Sequence, residues 1–341
     1  MALKLPNQAV MVIAEVGVNH NGDEGLARDL IVAAKQAGAD VVKFQTFRAD
    51  DLAISTAKTA DYQARQVGAE SQREMLRRLE LPLDAFVRLK KFCETQEIAF
   101  LSSPFDESSV DALEKMEVFA FKVGSGEITN FPLLQRIART KKPLLMSTGM
   151  ADLSEIRDAV EWAQKHGVQD LVLFHCVSDY PTALKDLNLK FLHILKNEFQ
   201  QPIGLSDHSL STVVPAAAVA LGAGWIEKHL TLDRNMSGPD HQASLDPKSF
   251  AEMVKAIRET ELALGSERKV LTPSEMKTKH IVRKSIVARK PLAKGTRLEL
   301  SHLAFKRPGD GLSPAQFEKV LGKKLNCDVS LDEKIDLTKV E

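Results

Sequence analysis

The sequence predicts an α/β protein, a (β/α)8 TIM barrel followed by a small C-terminal module. Three observations carry that prediction. Eight short β-rich apolar runs alternate with amphipathic helical segments over about 250 residues, which is the arithmetic of such a barrel. Polar residues collect at the C-terminal end of every run, and a barrel gathers those eight ends at one mouth. After Gly265 the alternation stops, and short strands and turns take over. A doubly wound sheet is the rival, but it usually has fewer strands and a nucleotide fingerprint, and Gly124-Ser125-Gly126 lacks the third spaced glycine.

The elements follow in order. The first run, Val10–Val16, holds Glu15 and leads into Asn19-His20-Asn21-Gly22; the helical segment Gly25–Ala37 stops at Gly38. The second, Asp40–Phe47, carries Lys43 and Gln45. The gap from Arg48 to Glu97 exceeds what a loop and helix require, and Thr59–Leu79, with Tyr62 and Met75, predicts a helical insertion over the mouth. The third run, Ile98–Phe105, ends in Ser102-Ser103 before a helix at Ser108–Met116. The fourth, Phe119–Glu127, contributes Lys122, Ser125 and Glu127, and the fifth, Pro143–Gly149, contributes Ser147-Thr148. A helix over Ser154–His166 follows, with Ser154 as its N-cap and Gly167 past its end. The sixth run, Leu171–Ser178, holds His175 and Ser178, and a helix over Asp186–Phe199 returns the chain. The seventh, Pro202–His208, ends in Ser206-Asp207-His208, and the eighth, Trp225–Leu232, contains Glu227-Lys228-His229. Pro247–Leu264 is the last barrel helix. The domains are then a barrel over 1–265, a polar linker over 266–284 and a module over 285–341 with a helix at Pro314–Val320.

Composition narrows the function. The 341 residues are 44% hydrophobic and 27% charged, as in a soluble globular protein, which excludes general disorder. No apolar stretch reaches the roughly eighteen residues of a membrane span, and Met1–Asn7 has no signal-peptide core. Cys93, Cys176 and Cys327 are too few and scattered for a disulfide framework, so a reduced cytoplasm is expected. The net charge of zero hides an asymmetry: from Glu275 onward there are 15 Lys+Arg against 9 Asp+Glu. The basic residues are dispersed with almost no aromatics among them, so nucleic acid is not expected; an acidic partner surface suits them, with solvated lysines as the ordinary alternative.

The strand ends carry the chemistry. His208 and His229 end neighbouring strands, so both imidazoles can reach one divalent ion, or can serve as hydrogen-bonded mouth residues. Lys43 and Lys122, with Ser103, Ser125, Ser147, Ser206 and glycine-flanked amides, make an anion site for phosphate or carboxylate. A Schiff-base lysine is the rival, and pairing with Glu15, Glu127 or Glu227 the ordinary alternative. Glu15, Glu127 and Asp240 supply carboxylates for acid–base work or for sugar hydroxyls. Neither a P-loop nor a Gly-x-Ser-x-Gly elbow occurs, and Cys176 reads as a buried strand residue.

Several of these segments resemble the sialic acid synthase family, including the closely similar legionaminate synthases. They are Ile13–Gly22, Val42–Phe47, Ser102–Phe105, Lys122–Glu127, Ser147–Met150, His175–Thr182, Gly204–His208, Glu227–His229 and Gly238–Leu245. The tail, with Arg283–Ala288 and Lys306–Gly309, looks like the antifreeze-like (SAF, β-clip) domain that ends these enzymes. The resemblance implies a transferase that condenses phosphoenolpyruvate with an N-acetylated amino sugar aldehyde. Carbon 3 of phosphoenolpyruvate attacks the aldehyde, water adds at carbon 2, and phosphate leaves by C–O cleavage. It implies Mn2+ first, with Mg2+ or Co2+ as alternatives, held by His208 and His229, and Glu15 as the acid–base residue. Lys43, Ser103, Lys122, Ser125, Ser147, Ser178 and Ser206 would hold phosphoenolpyruvate, although some members carry Asn where Ser178 stands. Gln45, Glu127, Tyr180, Asp240 and Arg307 would bind the sugar, and Arg283 would add charge near the mouth. The implied assembly is a domain-swapped homodimer in which each module caps the other barrel, Arg307 reaching the partner's sugar. N-acetylmannosamine, giving sialic acid, is the first expected sugar. A 2,4-diacetamido-2,4,6-trideoxymannose, giving legionaminate, is the alternative, and a non-catalytic carbohydrate-binding protein is the alternative of another class. Gly-Pro-Asp-His-x-Ala-Ser disfavours the pseudaminate branch.

Overall fold

A computed structural model describes residues 10–59 and 71–341. Eight parallel strands form one sheet: β1 (Met11–Gly17), β2 (Val41–Thr46), β3 (Ala99–Pro104), β4 (Phe121–Val123), β5 (Leu144–Ser147), β6 (Leu171–Cys176), β7 (Ile203–Asp207) and β8 (Trp225–His229). The order β3-β2-β1-β8-β7-β6-β5-β4 is that of a barrel opened at one seam, where β3 and β4 lie side by side without a hydrogen-bonded ladder. The chain alternates strand and helix, so each parallel step is a crossover whose helix covers the outside.

Strand periodicity sorts the side chains. On β8, Trp225 points into the ring with the inner apolar cluster, Ile226 packs outward against the helices, and Glu227 and His229 continue the inward series. The same two-residue step runs from Ile13 to Glu15, from Val41 to Lys43 and Gln45, from Leu101 to Ser103, and from Ala120 to Lys122. The floor of the barrel is therefore apolar and its upper interior polar, before any tertiary contact is considered. Outside, residues such as Leu30, Phe86, Leu134, Ile156 and Phe250 form the large core between strands and helices.

Several local boundaries differ from those expected. The fourth run ends as a strand at Val123, and Ser125–Glu127 turns instead as a 3-10 helix after Gly124. Asp152, not Ser154, caps the helix Leu153–Lys165: its carboxylate accepts from the amides of Ser154 and Glu155, and Glu155 reciprocates. The helix expected from Asp186 begins at Phe191, because Leu187 is buried and Asn188 takes a left-handed φ of 46°. The insertion contributes a helix at Gln72–Leu79 with a Ser71–Glu74 capping box; the expected part that includes Tyr62 lies outside the described residues.

The chain divides into two compact units, Met1–Gly265 and Ser266–Glu341. The second opens with the stretch expected as a polar linker, 266–284. A helix at Pro273–Val282 occupies it, started by a Thr272–Glu275 capping box with proline in its first turn. It is followed by the antiparallel pair β9 (Ser285–Ala288) and β10 (Leu303–Lys306). Ile286, Leu298, Leu303, Val320, Leu325 and Ile335 make a core of its own. The expected helix at Pro314 is a 3-10 segment, Pro314–Lys319. Among the described residues, no helix is long and apolar enough to cross a membrane.

Candidate active site

The C-terminal ends of the strands enclose a cavity of about 500 Å³. Glu15, Lys43, Gln45, Ser103, Lys122, Ser125, Ser147, Ser178, Tyr180, Ser206, His208 and His229 all line it, together with Glu227, Cys176, Gln72 and Met150. Twelve expected site residues thus converge, from strands that are not neighbours in sequence.

Its depth is an ionic network. Lys43 Nζ pairs with Glu15 Oε2, lies 3.7 Å from Glu227 Oε1 and donates to Ser103 Oγ at 3.3 Å. Lys122 Nζ lies 3.5 Å from Glu227 Oε2, donates to Ser147 Oγ at 2.6 Å and sits 5.1 Å from the centroid of the Phe174 ring. Ser206 donates to Glu227 Oε1 at 3.1 Å, so one carboxylate ties both lysines and a serine together. All four charged groups are buried, and burial disfavours the charged form of each. It pushes the Glu15 carboxyl up to about 7 against the pull of Lys43. For Glu227 burial works upward too, but Lys122 and Lys43 outweigh it and hold the group well below the carboxylate range. Lys43 stays above the usual lysine range because Glu15 and Glu227 overcome its burial, whereas burial draws Lys122 below it. The result is a fixed pair of cations beside a carboxyl able to hold or release a proton near neutrality.

The upper wall is aromatic and imidazole. The His208 and His229 rings are 5.4 Å apart, and the Tyr180 ring lies 4.1 Å from the first and 5.7 Å from the second. His208 Nδ1 donates to Val177 O at 2.7 Å, which fixes the tautomer and leaves Nε2 with its lone pair. Burial, with the positive neighbours His208 and Lys43, pushes His229 well below its ordinary value, so its ring is neutral. His208 is shifted the other way: burial lowers it, but Cys176 and the Val177 carbonyl outweigh this and hold it above its ordinary value, so a divalent ion would displace a proton at His208 and meet a neutral ring at His229. Among the described residues no cluster of three or more His, Cys, Asp or Glu offers an alternative site. The arrangement therefore fits an ion with two protein ligands and its remaining positions open.

Three expected site residues lie elsewhere. Glu127 does not line the cavity: the 3-10 turn carries it to Asn130, whose Nδ2 donates to its Oε2 at 2.7 Å. Asp240 is buried outside the lining, its Oδ2 3.8 Å from His229 Nδ1, and burial pushes it up to about 6. Arg307 belongs to the second unit, where its Nε donates to Val282 O at 2.9 Å. Arg283 and Arg307 are both exposed there. Two residues exceed the expectation. Glu227, read only as a possible partner for a lysine, is the hub of the ionic network. Cys176 is no inert strand residue: it faces the cavity, 3.4 Å from Ser125 Oγ and 3.9 Å from His208 Nδ1. Burial raises its thiol, but His208 outweighs this and brings it down to about 7. The inward two-residue step from Val172 and Phe174 was the available signal.

The NeuB family profile matches residues 30–269 and the SAF domain profile residues 283–341. The chain is 45% identical over 328 residues to a Campylobacter jejuni protein named N,N'-diacetyllegionaminic acid synthase, covering 95% of this chain and 98% of that one. It is 44% identical over 324 residues to a Legionella pneumophila protein of the same name, covering 94% and 91%. The crystal structure of N-acetylneuraminic acid (sialic acid) synthetase from Leptospira borgpetersenii, in complex with citrate, matches with a TM-score of 0.72 at 32% identity, covering 82% of this chain and 95% of that one. A barrel with this mouth, followed by a SAF domain, places the chain plainly: it belongs to the NeuB family.

Proposed function

We propose that this chain is an N,N'-diacetyllegionaminic acid synthase, condensing phosphoenolpyruvate with 2,4-diacetamido-2,4,6-trideoxymannose to give a nonulosonic acid and phosphate. As a relative of nonulosonic acid synthases it is an enzyme that forms a C–C bond by phosphoenolpyruvate condensation. One observation supports the chemistry above others: a single cavity joins a site of two buried lysines and five serines to a pair of imidazoles. The sugar rests on kinship. N-acetylmannosamine, the first expectation, gives way to the diacetamido sugar, because the relatives named for legionaminic acid are 44% and 45% identical and the sialic acid synthetase 32%.

In this reading Lys43 and Lys122, with Ser103, Ser125, Ser147, Ser178 and Ser206, bind the phosphate and carboxylate of phosphoenolpyruvate. Glu227 holds the two ammonium groups apart and in place. Ionised Glu15 takes the proton of the water that adds at carbon 2, with Lys43 beside it to stabilise the carboxylate. Gln45, which donates to Glu15 Oε1 at 3.3 Å, and Tyr180 face the sugar. His208 and His229 would hold Mn2+, which when bound supplies Lewis-acid polarisation of the aldehyde. The assembly proposed is a domain-swapped homodimer in which the partner's Arg307 completes each sugar site. Three free cysteines are consistent with the cytoplasm as its location.

The test is phosphate release from phosphoenolpyruvate with Mn2+ and each sugar in turn. We expect kcat/KM for the diacetamido sugar to exceed that for N-acetylmannosamine by about tenfold or more. The reverse order would overturn the assignment of the sugar, and no release with any amino sugar would overturn the reaction.

A further inference from the structure

A second cavity, of about 550 Å³, lies among the loops after β6, β7 and β8. Tyr180 lines both this cavity and the active one. Its ring centroid is 4.1 Å from that of His208, so the residue common to the two cavities stands directly beside the imidazole pair. Apart from Tyr180, the reaction set out above uses none of the side chains in the second cavity.

Its walls differ in chemistry. Leu210, 38% exposed, half-buried Leu232 and buried Ala243 make an apolar side. Arg234 and Asp246 make a polar one, and both are held in place. Asp246 caps the helix Pro247–Leu264: its Oδ1 accepts from Ser249 N at 2.9 Å and its Oδ2 from Ser249 Oγ at 3.2 Å. Each oxygen has a further lone pair to offer a ligand's donor. Arg234 Nη2 donates to Gln242 O at 2.9 Å, which uses one of the five donors of a guanidinium. The turn that carries Arg234 is closed by Asp233, whose Oδ1 accepts from Asn235 N at 2.8 Å and from its Nδ2 at 3.1 Å.

A fixed donor, a fixed acceptor and an apolar wall in one cavity are the complement of an acetamido group. The carbonyl needs the donor, the N–H needs the acceptor, and the methyl needs the apolar wall. The diacetamido sugar carries such a group at carbon 4, where N-acetylmannosamine has a hydroxyl.

We propose that the second cavity is the subsite for the 4-acetamido group of the sugar, which passes Tyr180 when the aldehyde lies at His208 and His229. Arg234 donates to its carbonyl, Asp246 accepts from its N–H, and Leu210, Leu232 and Ala243 take its methyl. The inference rests on the synthase reading above and adds to it the residues that select the sugar.

The test compares two sugars that differ at carbon 4 alone: the diacetamido sugar and 2-acetamido-2,6-dideoxymannose, which has a hydroxyl there. Phosphate release is measured with the full-length, Mn2+-supplied protein at saturating phosphoenolpyruvate. Wild type should favour the diacetamido sugar in kcat/KM. Arg234→Ala, which removes the donor, and Leu210→Trp, which fills the cavity, should each lower that preference about tenfold. The phosphoenolpyruvate KM should stay within about twofold. Both side chains are exposed, so an unchanged melting temperature should accompany the loss. A preference that survives both substitutions within about twofold, or equal losses for the two sugars, would overturn the subsite and leave the synthase reading standing on wild-type turnover. A wild type that turns over neither sugar would overturn both.

Discussion

Glu15 shows how little chemistry a residue brings with it and how much its surroundings add. The same side chain on a helix surface would be ionised at any physiological pH. Here burial outweighs the attraction of Lys43, and the group titrates at about 7. The limb it produces belongs to Glu15 together with its partners Lys43 and Glu227. Since the ionised form is the base, kcat/KM should rise with pH through about 7. Glu15→Gln should remove that rising limb and lower kcat by about 10² to 10⁴. A pH–rate profile of the two proteins checks this, and a limb that survives the substitution would assign it to another group. The linkage has the opposite sign for stability. The folded carboxyl holds its proton more tightly than the unfolded one, so its contribution favours the fold at low pH and fades between about 4.5 and about 7.

At the scale of elements, the strand ends and the loops after them divide the labour. Lys43, Lys122, Ser103, Ser147 and Ser206 were legible in the sequence because each lies two residues beyond an inward position on its strand. Glu127 lies off that series because the fourth strand stops at Val123, short of the expected Glu127, and a 3-10 turn does not preserve the alternation. The role of Glu227 was hidden for a different reason. Glu227 on β8 meets Lys122 on β4, across the ring, and closure of the barrel rather than any neighbouring pair creates that contact. The loop after β5 adds its own constraint. Gly149 N donates to Ser125 Oγ at 3.0 Å, and a Cβ at Gly149 would lie 2.4 Å from Ser178 Oγ and 2.7 Å from Ser125 Oγ. Gly149→Ala should therefore displace both serines. We expect a phosphoenolpyruvate KM raised about tenfold with the sugar KM little changed, and an overpacking cost of about 1–3 kcal/mol seen as a lower melting temperature. An unaltered phosphoenolpyruvate KM would remove Ser125 and Ser178 from the anion site.

For the whole molecule, the zero net charge separates into an acidic barrel and a basic C-terminal unit, each with its own core. The proposed exchange of modules between chains has a rival, in which each module serves the barrel of its own chain. Arg307, exposed in the second unit, distinguishes these cases if the proposed domain-swapped dimer is right. Glu15→Gln inactivates a barrel, and Arg307→Ala disables the group that a module offers. Each homodimer should then be deficient. In a mixed dimer, the barrel that retains Glu15 is capped by the module that retains Arg307, so one site is intact and the other carries both defects. Random exchange of equal amounts makes half the dimers mixed, with one working site in two. Activity should then return to about a quarter of the wild-type value. Refolding or prolonged co-incubation of the two variants, followed by a phosphate-release assay at sugar well below the wild-type KM, where loss of sugar binding is seen, measures this directly. If each module served its own barrel, mixing would create no intact site, because every chain carries one of the two defects. Activity of the mixture equal to the mean of the two variants would therefore rule out the exchange, whatever the oligomeric state.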